Sequence, residues 1–362
     1  MKALILAGGF GTRLRPLSCT RPKILFPIVN KPLLQWTFER LAKNKIEEAI
    51  LAVNLQTEVF IKQHRISRCE LHIAYSRDPV KKPLGTGGAI KKAEKLLGHD
   101  TSFLVLNGDI FADLNYREIL KIHEEKNAAA TIALHEVSDP SRYGVAELAN
   151  DNRIKKFIEK PLREEAPSNL INAGVYVLSP EIFKYIPKGR KVSLEREVFP
   201  KLAEENKLYG YVFDGFWMDI GKLEDYLKIN KILLGSFANQ QKYKIGSKVK
   251  IKKPVAFDKG VSIGEKTVIG PYAVLGRNVI VGKNVQIQNS VILPGTTISD
   301  FSSANGSVIG ENVIIGKGVK IGEGCVLGDH VKVRDNVSLA RGVSVCPAKE
   351  ISESVLTAKS II

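Results

Sequence analysis

A glycine-rich segment near the start of the chain has the composition of a phosphate-binding loop. It follows an apolar strand candidate directly and is continued by the cations Arg13, Arg15 and Lys23. Glycine lets backbone N–H groups approach a phosphate closely, and the cations balance its charge. Two common phosphate motifs are absent, since there is no G-x-x-x-x-G-K-[ST] and the pattern G-x-G-x-x-G breaks at Leu14, so an ordinary tight turn is the alternative. The segment consists of Leu6, Ala7, Gly8, Gly9, Phe10, Gly11 and Thr12.

The elements that must hold this segment alternate between strands and helices through the first 235 residues. Strands are predicted at 2–7, 49–53, 103–106, 129–134 and 174–178, and helices at 33–43, 87–97 and 116–126. This alternation favours an α/β, Rossmann-like domain around a mostly parallel sheet. Ligands bind beyond the carboxyl ends of such strands, which is where the glycine-rich segment and Asn107-Gly108-Asp109 fall.

A six-residue repeat organises the C-terminal third of the chain. Apolar residues recur at this period from Ile245 to Leu293 and again from Ile309 to Leu339, and glycine follows many of them. Six residues fit one short strand and one turn, with glycine relieving the backbone at the corner. The pattern resembles the left-handed parallel β-helix of hexapeptide proteins, in which three repeats form one triangular coil. We expect residues 294–308 to form an irregular insertion in this β-helix.

These patterns divide the chain into an α/β domain at 1–235, a linker at 236–244, a β-helix at 245–343 and a C-terminal tail at 344–362. No apolar run approaches the length of a membrane span, and the N-terminus lacks the apolar region and cleavage site of a secretory signal. The four cysteines lie far apart and form no C-x-x-C pair, which argues against a disulfide framework and a zinc site. A cytoplasmic location is therefore expected.

The net charge of +16 is spread through the chain rather than concentrated in a basic arm. The basic pairs Lys81-Lys82 and Lys252-Lys253 have no interleaved aromatic residues, so the pattern does not favour nucleic-acid binding. An enzyme with anionic phosphate substrates would explain the charge. A solvated, lysine-rich surface would explain it equally well.

Seven further motifs follow the glycine-rich segment in chain order. They are Pro83-Leu84-Gly85-Thr86-Gly87-Gly88, Asn107-Gly108-Asp109, Tyr143-Gly144-Val145, Phe157-Ile158-Glu159-Lys160-Pro161, Ile171-Asn172-Ala173-Gly174-Val175-Tyr176, Leu194-Glu195-Arg196-Glu197-Val198-Phe199-Pro200 and Trp217-Met218-Asp219-Ile220-Gly221. Together the motifs resemble those of the sugar nucleotidyltransferases (NDP-sugar pyrophosphorylases). The resemblance covers essentially the whole chain, because one branch of that family also carries a hexapeptide β-helix. The last two motifs are similar to those of the mannose-1-phosphate guanylyltransferase branch.

The resemblance implies transfer of a nucleotidyl group from a nucleoside triphosphate to a sugar 1-phosphate, with release of pyrophosphate and formation of an NDP-sugar. Within the resembled branch the substrates are GTP and mannose 1-phosphate, and the product is GDP-mannose. The sugar phosphate arrives ionised, since the second pKa of a phosphate monoester is near ~6, so no general base is needed. The reaction instead requires alignment of two anions and neutralisation of the charge on the leaving pyrophosphate.

The motifs also imply roles for particular residues. Asp109 and Asp219 would hold Mg²⁺, which proteins bind through one or two carboxylates together with phosphates and water. Arg13 and Lys23 would contact the triphosphate, and Lys160 would contact the sugar phosphate. The implied nucleotide-binding residues are Leu6, Ala7, Gly8, Gly9, Gly11, Thr12, Gly85 and Thr86. The implied sugar-binding residues are Gly108, Gly144, Glu159 and Asn172.

Several alternatives stay open at this point. Asp109 could be a turn residue, and Asp219 could be the cap of a following helix. The chain could act on glucose 1-phosphate with UTP or dTTP, or it could be a non-catalytic paralogue that only binds a nucleotide sugar. An acyltransferase activity of the β-helix would need a histidine base, for which His330 is the only candidate. The stacked coils also predict a homo-oligomer.

Overall fold

The structure is a computed structural model that describes residues 1–9, 11, 14–64, 66, 69–79, 83–237 and 248–362. Thr12, Arg13 and residues 238–244 of the expected linker lie outside the described residues. The chain forms two compact units. The first unit consists of Met1–Gly9 and Leu33–Asp219, and the second consists of Phe10–Pro32 and Ile220–Ile362. No helix of the described ranges combines the length and apolar character needed to cross a membrane.

Apolar strands and amphipathic helices alternate from residue 1 to residue 237, as the sequence predicts. The strands are β1 (Lys2–Leu6), β2 (Pro27–Ile28), β3 (Lys31–Pro32), β4 (Glu48–Val53), β5 (His72–Arg77), β6 (Phe103–Asn107), β7 (Ile110–Ala112), β8 (Ala130–Glu136), β9 (Gly144–Leu148), β10 (Ile154–Glu159), β11 (Leu170–Leu178), β12 (Leu208–Val212) and β13 (Trp217–Asp219). The helices are α1 (Leu33–Lys43), α2 (Leu55–Gln63), α3 (Gly85–Leu97), α4 (Tyr116–Glu125), α5 (Phe199–Glu204) and α6 (Leu223–Phe237). A π-helical turn at Leu194–Val198 leads into α5.

The large sheet of the first unit has a parallel part and an antiparallel part. Strands β6, β1, β4 and β5 are neighbours in that order and all run parallel. Strand β11 then pairs antiparallel with β6, β8 and β9, and β9 pairs antiparallel with β10. The α/β, Rossmann-like prediction is confirmed, but the sheet is mixed rather than mostly parallel, because the parallel order is confined to β6-β1-β4-β5 and to the β8–β12 pair. Helices α3 and α5 pack against this sheet through fully buried side chains such as Ile90 and Phe199.

The second unit combines a β2–β3 hairpin, α6 and a stack of short strands. The stacked strands are β14 (Lys250–Ile251), β15 (Val255–Phe257), β16 (Ser262–Ile263), β17 (Val268–Ile269), β18 (Ala273–Leu275), β19 (Ile280–Val281), β20 (Gln286–Gln288), β21 (Val291–Ile292), β22 (Thr297–Ile298), β23 (Ser303–Asn305), β24 (Val308–Ile309), β25 (Ile314–Ile315), β26 (Lys320–Ile321), β27 (Val326–Leu327), β28 (Lys332–Val333), β29 (Ser338–Leu339), β30 (Ser344–Val345), β31 (Glu350–Ile351) and β32 (Ser360–Ile361). From β14 to β28, each strand pairs in parallel with the third strand after it. This pairing forms three sheets that surround one apolar core. This is the predicted left-handed parallel β-helix, and its pairing continues through the expected tail as far as β32.

The expectation of an irregular insertion at residues 294–308 is wrong. Strands β22 and β23 continue the stacked pairing through this stretch, in register with their neighbours. The change of period comes from two corners that are one residue shorter than the others. In the apolar core of the β-helix, Ile287 is followed by Ile292 and Ala304 is followed by Ile309. A five-residue step at these two corners shifts the sequence repeat without interrupting the coil.

Candidate active site

The glycine-rich segment begins where β1 ends, at the carboxyl edge of the parallel strands. The N–H of Ala7 donates to the carbonyl oxygen of Ala52 in β4 at 2.9 Å. On the other side, the N–H of Gly108 donates to the carbonyl oxygen of Leu6 at 2.8 Å. The structure therefore brings the start of the glycine-rich segment and the Asn107-Gly108-Asp109 motif to the same edge of the sheet, as the sequence predicts.

Asp78, which the sequence motifs do not single out, lies beside these glycines. Its N–H donates to the carbonyl oxygen of Val53 at 2.8 Å, which places it at the carboxyl end of β5. A Cβ added to Gly8 would lie 3.0 Å from Asp78 Oδ2, whereas at Gly9 no described atom lies within 4 Å of that position. Asp78 Oδ1 is buried and has no hydrogen-bond partner in the described part of the chain. Burial raises the pKa of Asp78 to about 6, and the charge of Lys92 opposes this effect.

Asp109 and Asp219, the expected metal ligands, are brought to neighbouring backbone positions by β7 and β13. These strands run antiparallel, and Asp219 lies opposite Ile110, the residue after Asp109. Opposed residues of such a pair lie about 5 Å apart between Cα atoms. Both aspartates are partly buried. Two aspartates that are remote in sequence thus lie close together along the backbone.

This carboxylate pair fits a hard divalent cation. Oxygen ligands suit Mg²⁺, which usually keeps water and substrate phosphates in the rest of its shell. Across the ranges that the structure describes, no three His, Cys, Asp or Glu side chains form a metal-binding group. An ion held by Asp109 and Asp219 would therefore take its remaining ligands from substrate and solvent.

The predicted sugar-binding residues Gly144, Glu159 and Asn172 meet on adjacent strands. Glu159 of β10 pairs with Gly144 of β9, and the register of β11 on β9 places Asn172 beside Gly144. A Cβ added to Gly144 would lie 2.5 Å from Phe157 Cζ and 3.0 Å from Glu159 Oε2. The absence of a side chain at Gly144 thus makes room for these two side chains. The Asn172 amide donates to Tyr176 Oη at 3.0 Å and accepts from the N–H of Gly174 at 2.9 Å, so its orientation is fixed.

Glu195, for which no role is expected from the motifs, connects this cluster with the start of α3. Its Oε2 accepts hydrogen bonds from the hydroxyls of Thr86 at 2.8 Å and Ser193 at 2.6 Å. Burial raises the pKa of Glu159, and the nearby charge of Glu195 raises it further. Gly85, the first residue of α3, has a φ of 71°, a conformation that favours glycine. Gly85 and Thr86 thus lie in the first unit with the sugar-binding cluster.

Trp217 and Lys160 lie around the same cluster. The Trp217 indole N–H donates to the carbonyl oxygen of Ala173 at 2.9 Å, and its ring packs edge-on against Tyr143 at 5.2 Å between centroids. Lys160 has a φ of 53°, and its N–H donates to the carbonyl oxygen of Tyr143 at 2.9 Å. A non-glycine residue in this region is often found at functional sites. The Lys160 ammonium lies 3.8 Å from Glu159 Oε1 and is largely exposed, so it is accessible to a ligand.

Gly11 and Lys23 belong to the second unit. Lys23 begins a short 3₁₀ helix at Lys23–Leu25, and a Cβ added to Gly11 would lie 3.5 Å from Lys23 Cβ. The Ser18 hydroxyl donates to the carbonyl oxygen of Gly11 at 2.7 Å, so Gly11 and Ser18 lie next to each other. Thr12 and Arg13, the other expected triphosphate contacts, lie outside the described residues.

His330, the candidate base for an acyltransferase, lies exposed at a corner of the β-helix. Its φ is 62°, and its N–H donates to the carbonyl oxygen of Glu311 at 2.8 Å. Lys266 and Asn278 occupy other corners with similar φ values of 59° and 57°. The position of His330 is thus that of an ordinary corner residue.

Comparison with known families agrees with the fold. The family described as Nucleotidyl transferase matches residues 2–236, and the family described as GMPPB C-terminal domain matches residues 244–362. The mannose-1-phosphate guanyltransferase of Saccharomyces cerevisiae is 39% identical over 250 residues, which is 68% of each chain. The mannose-1-phosphate guanylyltransferase catalytic subunit beta of Danio rerio is 43% identical over 229 residues, which is 63% of each chain.

Solved structures give the same result for about two thirds of the chain. A UDP-glucose pyrophosphorylase complexed with UDP-glucose has a TM-score of 0.55 and 26% identity, and the match covers 65% of this chain and 98% of that one. HddC from Yersinia pseudotuberculosis has a TM-score of 0.54 and 29% identity, over 64% of this chain and 99% of that one.

The fold and the site define an enzyme that transfers a nucleotidyl group to a sugar phosphate and forms an NDP-sugar. The chain belongs to the nucleotidyl transferase family and is a sugar-1-phosphate nucleotidyltransferase. Enzymes of this family generally use a divalent metal ion.

Proposed function

We propose that this enzyme forms GDP-mannose from GTP and mannose 1-phosphate. An oxygen of the sugar phosphate attacks the α-phosphorus of GTP. The bond from the α-phosphorus to the bridging oxygen breaks, and pyrophosphate leaves with that electron pair. A phosphate monoester is largely doubly ionised at neutral pH, so no side chain has to remove a proton. The names of the curated relatives from yeast and zebrafish support this pair of substrates.

The position of Asp78 supports guanine as the base of the nucleotide substrate. Guanine presents two adjacent N–H donors, at N1 and at its 2-amino group, and a carboxylate can accept both. Adenine and cytosine instead pair a donor with an acceptor, and uracil and thymine present one N–H between two carbonyls. The Asp78 carboxylate, with Oδ2 beside Gly8 of the glycine-rich segment, therefore suits guanine better than any other common base. A site whose acceptors are placed to bind such donors strongly rejects ligands that lack the donors.

The sugar-binding role rests on Gly144, Glu159 and Asn172. They lie on three adjacent strands, and Glu159 and Asn172 offer hydrogen-bonding groups with fixed surroundings. Hydroxyl groups of a hexose can donate to the carboxylate and accept from the amide. Lys160, at the end of β10, would bind the phosphate of the sugar from the same cluster.

The metal in this proposal is Mg²⁺, held by Asp109 and Asp219. When bound, the ion would neutralise charge on the phosphates that react. The two aspartates need only present carboxylate oxygens from the adjacent positions that β7 and β13 give them. Arg13 and Lys23 would bind the triphosphate and balance the charge of the departing pyrophosphate.

We further propose that the enzyme is a cytoplasmic homo-oligomer. All four cysteines are free thiols, and Cys325 is buried, which suits a reducing compartment. The stacked coils of a β-helix offer flat faces for packing against a second copy of the chain. Light scattering of the full-length protein tests this point, and a monomer would contradict it.

Pyrophosphate release tests the reaction itself. Each of GTP, ATP, UTP, CTP and dTTP is combined with mannose, glucose and N-acetylglucosamine 1-phosphates, with Mg²⁺ present. We expect GTP with mannose 1-phosphate to give the highest kcat/KM. A preference of tenfold or more for UTP or dTTP, about 1.4 kcal/mol, would place the enzyme in the uridylyl or thymidylyl branch. No release with any pair would indicate the non-catalytic paralogue.

A further inference from the structure

The loop of residues 14–32, which contains Lys23, is bound to the β-helix by a largely buried network of charged side chains within the second unit. The Arg21 guanidinium contacts Glu311 Oε1 at 2.5 Å through Nη1 and Asp329 Oδ2 at 2.7 Å through Nη2. The side chains of Arg21 and Asp329 are 9% and 5% exposed. The hydroxyl of Thr20 also donates to Asp329 Oδ2, at 2.6 Å. One arginine therefore joins the loop to carboxylates on two successive coils.

Asp329 is itself held in place by the β-helix. Its Oδ1 accepts the N–H of Glu311 at 2.7 Å, while Oδ2 faces Arg21 and Thr20. Because Asp329 is fixed to the neighbouring coil, Arg21 meets a rigid acceptor rather than a mobile side chain. A planar guanidinium bound at two points also has a defined orientation.

The far end of the same loop has separate anchors in the second unit. The amide of Asn30, at the tip of the β2–β3 hairpin, donates to the carbonyl oxygen of Leu275 in β18 at 3.0 Å. The Tyr226 hydroxyl of α6 donates to the carbonyl oxygen of Pro27, and the N–H of Val29 donates to Asn230 Oδ1 at 2.8 Å. The loop is thus held at residues 20–21 and again at residues 27–30 by the C-terminal part of the protein.

Stability alone does not account for this network. Removing two opposite charges from water costs free energy, and apolar residues of similar volume often stabilise a protein as well or better. Arg21 Nε is also buried without a hydrogen-bond partner among the described residues, so part of the guanidinium is left unsatisfied. Lys23 begins its 3₁₀ helix two residues after Arg21, so any shift of Arg21 is passed to Lys23 through this short stretch of backbone.

We propose that Arg21 is a positioning residue, which uses Asp329 and Glu311 of the β-helix to set the place of Lys23. In this proposal the β-helix acts through the loop that carries Lys23, within the second unit. This proposal rests on the proposed function, in which Lys23 binds the triphosphate.

The test replaces the network by apolar side chains in the full-length protein. The triple variant Arg21→Met, Glu311→Leu, Asp329→Leu removes every charge of the network and leaves no buried ion unpaired. The Glu311 N–H and the Thr20 hydroxyl lose their acceptor in this variant, so we expect a moderate fall in thermal stability. KM for GTP should rise at least tenfold, and KM for mannose 1-phosphate should stay unchanged. Displacements of about 1 Å can cost on the order of 10²-fold in rate, so kcat is expected to fall as well.

Single variants and a matched control complete the experiment. Asp329→Asn keeps the shape of the side chain and should raise KM for GTP without changing KM for the sugar phosphate. Arg334→Ala breaks an exposed ion pair with Glu350 on the same β-helix and should change neither constant. If the triple variant fails to fold, Asp329→Asn and Glu311→Gln supply the same comparison.

A wild-type KM for GTP in the folded triple variant, or in Asp329→Asn if the triple variant does not fold, would overturn the proposal. A loss of active protein with KM unchanged would also overturn it, because that result indicates a purely structural role. If the proposed function itself is wrong, the result is different, because the wild-type enzyme then transfers no guanylyl group.

Discussion

Replacing Asp78 by asparagine should make the enzyme more stable at neutral pH and less active. In the unfolded chain this carboxyl ionises near pH 3.8, whereas in the folded protein burial raises its pKa to about 6. Between these values the folded state binds more protons than the unfolded state, so stability falls as the pH rises. Above about pH 6 wild type carries the full penalty, which the neutral amide avoids. Below about pH 4 the penalty disappears, and the two proteins should differ little.

The size of the stability effect follows from the pKa shift. One pKa unit corresponds to about 1.4 kcal/mol, and Asp78 is only partly buried, so solvent screening reduces the gain to roughly 1 kcal/mol. That gain corresponds to a rise in Tm of roughly 2–4 °C for a protein of this size class. Thermal unfolding at pH 5 and pH 8 measures it, and the difference should be larger at pH 8.

The loss of activity should be specific to GTP. Hydrogen bonds to a charged group contribute about 1.5–3 kcal/mol each, so kcat/KM for GTP should fall about 10²-fold while the low rates with UTP and ATP stay the same. Asp100→Asn, at an exposed aspartate of the same unit, should change neither stability nor base preference. Retention of the wild-type ratio of GTP to UTP activity in Asp78→Asn would refute the assignment of Asp78 to guanine.

Three further substitutions test the metal site, the sugar site and the β-helix. Asp219→Asn should lower kcat on the order of 10²–10³-fold, with partial recovery at high Mg²⁺, whereas the exposed Asp113→Asn should be silent; near-normal turnover of Asp219→Asn at low Mg²⁺ would contradict the ligand role. Gly144→Ala places a Cβ 2.5 Å from Phe157 Cζ and 3.0 Å from Glu159 Oε2, so both side chains must shift, and KM for mannose 1-phosphate should rise with little change in KM for GTP; equal changes in both constants would argue for a general defect. Ile309→Ala opens a cavity in the β-helix core and should cost roughly 2–5 kcal/mol of stability in denaturant titration, and a cost below about 1 kcal/mol would contradict the described packing.

Local patterns in the sequence predicted most of the elements. The helix expected at 33–43 is α1, with the same bounds, because its apolar spacing and flanking residues mark both ends. The six-residue period predicted the β-helix, because one core residue per corner is a constraint visible in the sequence. The period also led to the error at residues 294–308. A corner that is one residue shorter has the same appearance in a sequence as a break in the repeat.

The residues that sequence reasoning missed depend on contacts between distant parts of the chain. Asp78 precedes a proline at the end of β5, a strand that the apolar pattern does not predict because the strand is half exposed. Its role depends on its position beside Gly8, which only the parallel pairing of β1, β4 and β5 provides. Arg21 finds its partners 290 and 308 residues further along the chain. No local pattern indicates such a pairing.

A competition experiment tests the central claim most directly. The enzyme is given equal concentrations of GTP, ATP, UTP, CTP and dTTP with mannose 1-phosphate and Mg²⁺, and mass spectrometry identifies the nucleotide sugars formed at low conversion. Our account predicts GDP-mannose in at least tenfold excess over every other product. A different nucleotide sugar in equal or greater amount, or no nucleotide sugar at all, would contradict it.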